Sequence, residues 1–276
     1  MSKFALNQER YMIKEFSAGI FHFVNATAFL RKHRLLYFYL FPLLIGLLFY
    51  AVLGALILMF ARDLTEQVLG PYIPDRLPEY QGFFKFLNAL GTFSLHSVMS
   101  FIAGIVIFLV SSRFSKYIIL ILLSPVFSVL SEKTDELVSG KSYPFSVLQF
   151  LKDIVRGSLL ALRNLFLELI LIAVFSIAGI FAGPLAFLIA PLLWVIGAYF
   201  YGFSMVDYTC ERRKMSISEG NAYIRKRWLF VCGNGIMYTL CDMLPYVGTI
   251  FAPVNGVVGA TSGLLELENK EAETVL

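Results

Sequence analysis

Residues Leu169 to Val206 read LILIAVFSIAGIFAGPLAFLIAPLLWVIGAYFYGFSMV, without a single Asp, Glu, Lys or Arg. One bilayer crossing takes about 20 apolar residues, so this run is nearly twice what one crossing needs. It breaks at Gly183-Pro184, where proline lacks the N–H of a continuing helix and glycine tolerates a sharp bend. A soluble helix would keep a charged face opposite its buried one, and this run has none. It reads as a helical hairpin inside lipid.

Composition agrees. The chain is 58% hydrophobic and 15% charged, where a soluble domain carries about 25% charge, so an integral, all-α membrane protein is expected. Its 276 residues suit one polytopic domain. The net charge of +4 fits basic cytoplasmic loops facing lipid headgroups and does not require nucleic acid as a partner. Cys210, Cys232 and Cys241 form no CxxC and no zinc framework.

Upstream of the hairpin, polar residues Gln149, Lys152, Asp153, Arg156, Arg163 and Asn164 share one helical stripe. Leu148, Leu151, Val155, Leu159, Leu162 and Phe166 share the opposite one, predicting an amphipathic helix that runs into the hairpin. Further back, Ser124-Pro125 predicts an N-cap with proline at the first helical position, and Gly140 closes that helix. Residues 86–123 form a second long apolar stretch in which Ser97, Gly104 and Ser111 repeat every seven residues. That seam suits close helix packing; the hydroxyls are also suited to lining a polar passage. The first full span is 35–61, with Pro42 near its start. Residues 62–85, with Pro71, Pro74 and Pro78, read as a solvent loop, and residues 1–34 as an interfacial segment ending in Arg31, Lys32 and Arg34.

Downstream, Arg212-Arg213-Lys214 and Arg225-Lys226-Arg227 flank Ser216-Ile-Ser-Glu219, a capping-box pattern. Residues 228–265 are apolar apart from Asp242 and are punctuated by Pro245, Gly248, Pro253, Gly256, Gly259 and Gly263. They are expected to form a second hairpin, re-entrant or broken, with its glycines packed against protein. The polar tail 266–276 is expected to be mobile. Basic residues number six before the first span, three in the loop after it, seven from Arg113 to Arg163 and six from Arg212 to Arg227. The positive-inside rule therefore puts both termini in the cytoplasm.

The segment Pro245-Tyr-Val-Gly-Thr-Ile-Phe-Ala-Pro253-Val-Asn-Gly-Val-Val-Gly259-Ala260-Thr261 resembles the C-terminal signature of the CysZ sulfate permeases and the related etoposide-induced family. Ser124-Pro125-Val-Phe with Glu132-Lys133, Asp207-Tyr208 before Arg212-Arg213, and Phe41-Pro42-Leu-Leu are similar to other segments of that family, in family order. The resemblance implies two long spanning helices, shorter hairpins that penetrate part of the bilayer, homo-oligomeric assembly in the inner membrane, and passage of sulfate for cysteine synthesis. It also implies an anion contact at a Gly-Leu/Ile-Arg-Arg turn ahead of the first span. Counting back from Pro42 places Arg34-Leu35-Leu36-Tyr37 there, so the charge would come from Arg31, Lys32 and Arg34; the same cluster also suits a lipid-headgroup anchor. No P-loop, HExxH, GxSxG or paired-carboxylate site is present, so neither catalysis, cofactor nor metal is expected. An anion permease and a non-transporting membrane scaffold of the same fold are the two functional readings.

Overall fold

The computed structural model describes residues 3–64, 67, 95–141, 147–181, 183–244 and 247–275. The regular structure of these residues is helical, without strands. The helices are α1 (Lys3–Lys32), α2 (Leu40–Leu64), α3 (Leu95–Ser139), α4 (Val147–Phe181), α5 (Ile189–Arg212), α6 (Ile217–Lys226), α7 (Trp228–Asp242) and α8 (Val247–Val275). Short 3-10 turns at Leu36–Tyr39 and Gly183–Leu188 precede α2 and α5. Among the described residues, four stretches are long and apolar enough to cross a membrane: Leu36–Ala61, Val155–Gly179, Ile189–Arg212 and Val247–Glu273. The chain divides into two compact units, Met1–Ile45 with Ile119–Leu276, and Gly46–Ile118.

In the smaller unit, Gly104 of α3 faces α2. A Cβ there would lie 3.7 Å from Ile57 and 3.8 Å from Ala61, so this member of the small-residue seam serves helix packing. The side chains of Ser97 and Ser111, and residues 65–66 and 68–94 of the expected loop and second span, lie outside the described residues. Leu44, Leu48, Leu58 and Met59 of α2 are exposed, as a lipid-facing helix requires.

The larger unit is built around α7. Gly233 and Gly235 are two residues apart, which places them about 200° apart around the helix axis. Gly233 meets the backbone of Phe16 and Gly19 on α1, and Gly235 meets Ala198 and Gly202 on α5. A Cβ at Gly19 would lie 2.8 Å from the Asn234 amide nitrogen, and one at Gly235 would lie 2.8 Å from that of Gly202. Helix α8 closes the group, with Gly259 so close to α1 that a Cβ would stand 2.8 Å from Phe23 Cα. Phe23, Leu30, Val206, Phe230, Val254 and Val258 fill the space between these helices.

The structure corrects three expectations. Ser124-Pro125 does not start a helix: α3 runs through Pro125 to Ser139, because Leu123, Phe127 and Leu130 on either side of the proline are buried in one continuous apolar core. The Gly/Pro-rich segment from Val247 onward is not broken, since Pro253 lies inside α8; its glycines do serve the close approach expected of them. The tail from Glu266 is helical to Val275 and held by ion pairs. The amphipathic α4 is present as expected, and the structure adds the direction of its faces: part of the polar stripe turns inward, while Lys152 is exposed. Arg156, Arg163 and Asn164 bond to other helices, while Leu151, Val155, Leu159, Leu162 and Phe166 are exposed. The hairpin turn falls where expected, with Gly183 at φ +54°, a left-handed conformation that glycine adopts without strain.

The exposed apolar face of α4 generates a prediction. In a variant whose Trp194 and Trp228 are replaced by Phe, a Phe166→Trp reporter should show blue-shifted emission and strong quenching by brominated phospholipids. Water-like emission quenched by iodide would contradict a lipid-facing α4.

Candidate functional site

Two polar assemblies stand out in the larger unit. The first is the turn between α1 and the 3-10 segment ahead of α2. Leu35 donates its N–H to Leu30 O at 2.8 Å, and Arg34 donates to Arg31 O at 3.3 Å. With Arg34 at φ +59°, this is a Schellman ending, and Leu30 and Leu35, which flank it, are both buried in the core. Arg34 thus occupies a left-handed position that glycine fills without steric cost; a residue with a Cβ there costs about 1 to 2 kcal/mol. Arg31, Lys32 and Arg34 are exposed, as are Leu36 and Tyr37, which follow in the turn. Below the turn, Tyr39 donates to Asn255 Oδ1 at 2.6 Å, and Asn255 donates to Thr27 Oγ1 at 3.1 Å. That triad fixes α1 and the 3-10 turn to α8.

The second assembly joins α3, α5 and α8. Arg212 and Asp135 form an ion pair at 2.8 Å with side chains 1% and 3% exposed. Arg212 also donates to Ser131 Oγ at 2.8 Å, Ser131 shares a hydrogen bond with Thr261 at 3.0 Å, and Thr209 reaches Thr261 at 3.4 Å. Beside it, Asp207 accepts from Arg156 of α4 at 3.0 Å, and Arg156 donates to Met215 O.

The C-terminal part of α8 adds further pairs. Arg213 forks onto Glu268 at 2.7 and 2.6 Å. Arg227, at the α6–α7 junction, binds Glu271 of α8 and the buried Glu15 of α1. Tyr223 of α6 donates to Glu268 at 2.7 Å, and burial pushes its phenol above the ordinary range. His22 of α1 pairs with Glu266 at 3.1 Å and Ser262 at 3.2 Å; burial lowers its pKa, against the Glu266 carboxylate. The capping box is present, with Ser216 N–H donating to Glu219 at 2.7 Å, which holds that carboxylate below its ordinary value.

The residues singled out from sequence fall as follows. Asp207, Thr261 and Ala260 are buried, Gly259 packs on α1, Pro42 sits in the first turn of α2, and Pro125 and Pro253 lie inside helices. Pro245 lies outside the described residues. Arg212 and Arg227, counted as loop charges, are instead buried structural cations. The model of the family described as Sulfate transporter CysZ/Etoposide-induced protein 2.4 matches residues 22–253. No curated protein matches the chain.

Breaking a buried ion pair by removing one partner costs about 3 to 5 kcal/mol, whereas apolar replacement of both partners is often neutral. Asp135→Asn should therefore lower the thermal midpoint of the purified protein sharply, and Asp135→Leu combined with Arg212→Met should recover much of the loss. An Asp135→Asn protein as stable as the parent would show that this pair does not hold α3 to α5.

Proposed function

The chain belongs to the sulfate transporter CysZ/etoposide-induced protein 2.4 family, and from that premise we propose that it is a membrane permease for sulfate or a closely related inorganic oxyanion. The observation that carries the reading is Arg34 in the left-handed position of the turn that opens the first span. The family's turn has glycine at its head and two arginines behind it; here the head is the cation, and Leu36 and Tyr37 stand in the arginine places. A chain that keeps arginine where glycine would be less strained holds a charge at that point at the expense of local stability. Arg31 and Lys32 supply two more charges within one turn of helix. The first 3-10 bond is Phe38 N–H to Leu35 O, so the amides of Leu36 and Tyr37 precede the ladder and can donate to an anion.

A dianion leaving water loses hydration worth roughly 20 kcal/mol or more by the idealised single-ion estimate, and such a turn offers cations and amide donors together. In this reading the protein is a multi-pass, homo-oligomeric protein of the inner membrane, with both termini cytoplasmic, that feeds sulfate assimilation and catalyses no reaction.

Radiolabelled sulfate uptake into proteoliposomes tests it. Uptake should be lost when Arg31, Lys32 and Arg34 are all replaced by Gln. Arg34→Gly should stabilise the fold by about 1 kcal/mol while weakening uptake, a split that a lipid anchor would not produce. Absence of flux in the parent protein would favour a non-transporting membrane scaffold.

A further inference from the structure

Arg156, Arg212, Arg213 and Arg227 each have a carboxylate within 2.5 to 3.0 Å. Arg163 differs. Its Nη1 donates to Asn221 Oδ1 at 2.9 Å and its Nη2 to Asn164 Oδ1 at 3.0 Å, both neutral amide oxygens. Its guanidinium carbon lies 4.8 Å from the centre of the Phe203 ring, and its Nε is buried without a hydrogen-bond partner. Among the described residues no carboxylate lies within ion-pair distance of it; Asp207 gives both oxygens to Arg156.

Arg163 lies eight residues inside the apolar stretch that begins at Val155, about 12 Å along the helix, and its guanidinium reaches from there to Asn221 of α6. An ionisable group at such a position marks an ion or substrate path unless a partner neutralises it. Two amide oxygens and a ring face orient the guanidinium, and Asp207, whose oxygens are taken up by Arg156, acts on it only through space, so no anion contacts it directly.

We propose that Arg163, with Asn221 and Asn164, binds a tetrahedral oxyanion, and that this anion supplies the direct contact that no carboxylate makes. The inference rests on the permease reading, because it identifies the ligand with the transported sulfate, met on α4 and α6 at a second point besides the basic turn. The fork of an arginine matches two oxygens of a tetrahedral anion. An asparagine amide that turns by 180° exchanges its acceptor for two donors, so the groups that accept from Arg163 become donors to an anion held by it. Asn164 already reaches Ser204 Oγ at 3.2 Å through its amide nitrogen, which adds a hydroxyl to the same polar cluster.

The test uses Asn221→Asp, which keeps the side-chain shape and places a permanent carboxylate beside Arg163, so that a folding failure is not built into the variant. Thermal unfolding of the full chain in nanodiscs is followed with sodium sulfate and with sodium chloride at matched ionic strength, alongside uptake. Sulfate should raise the midpoint of the wild type. Asn221→Asp should unfold at a higher temperature than the wild type without sulfate, show a reduced sulfate-dependent rise, the remainder coming from the basic turn, and take up sulfate at least tenfold more slowly; Arg163→Gln should reduce the rise as well. A full sulfate-dependent rise in Asn221→Asp, or none in the wild type, would overturn the site. If the Asp variant transports normally while the Arg31/Lys32/Arg34 variant does not, this inference fails and the permease reading stands. If the rise depends on Asn221 but the wild type carries no sulfate, the site stands and the permease reading fails.

Discussion

Everything in the larger unit depends on how closely three backbones approach at α7. Lipid tails are as apolar as leucine, so burying apolar side chains does little to draw membrane helices together; close contact and internal polar bonds must do it. Gly233 and Gly235 expose the α7 backbone on opposite faces, and Gly19 and Gly202 remove the side chains that would otherwise separate α1 and α5 from it. Each helical glycine costs about 1 kcal/mol against alanine. That cost is offset only if the surrounding backbones stay in contact.

Close packing in turn fixes where charge can go. With the exposed faces of α2 and α4 largely apolar, the arginines of the larger unit that are buried turn inward, and each ties elements distant in sequence. Arg212 joins α5 to α3, Arg227 joins the α6–α7 junction to α1 and α8, and Arg156 joins α4 to α5. Buried ion pairs are weak evidence of net stability, but their partners are specific. Arg163 is the exception to this pairing, and the exposed cations of the Arg34 turn stand apart from it. The functional reading accordingly rests on those two places rather than on the paired core.

Local signals were legible in the sequence wherever a short motif decides a conformation. The Gly183-Pro184 break, the Ser216–Glu219 capping box and Gly140 at the end of α3 all lie where their chemistry put them. Counting back from Pro42 placed Arg34 in a glycine slot, and its φ of +59° shows the slot to be left-handed. Periodicity identified the two faces of α4 but not their direction, because the same alternation serves a helix on water and a helix in lipid with its polar face turned inward. Arg212 and Arg227 could not be told from loop charges, since their partners lie 77 residues away at Asp135 and 212 residues away at Glu15. Ser124-Pro125 misled because a local capping motif competes with a continuous apolar surface on both sides, and packing won.

The central claim, that α7 is held by backbone contact on two faces, is tested most directly by adding one methyl group. Gly235→Ala puts a Cβ against the backbone of Ala198 and Gly202, whereas a Cβ at Gly54 of α2 meets nothing within 4 Å. Thermal unfolding of both purified variants should show a large drop in midpoint, or loss of folded protein, for Gly235→Ala. Gly54→Ala should match or exceed the parent, because alanine favours helix. Equal stability of the two variants would contradict the account.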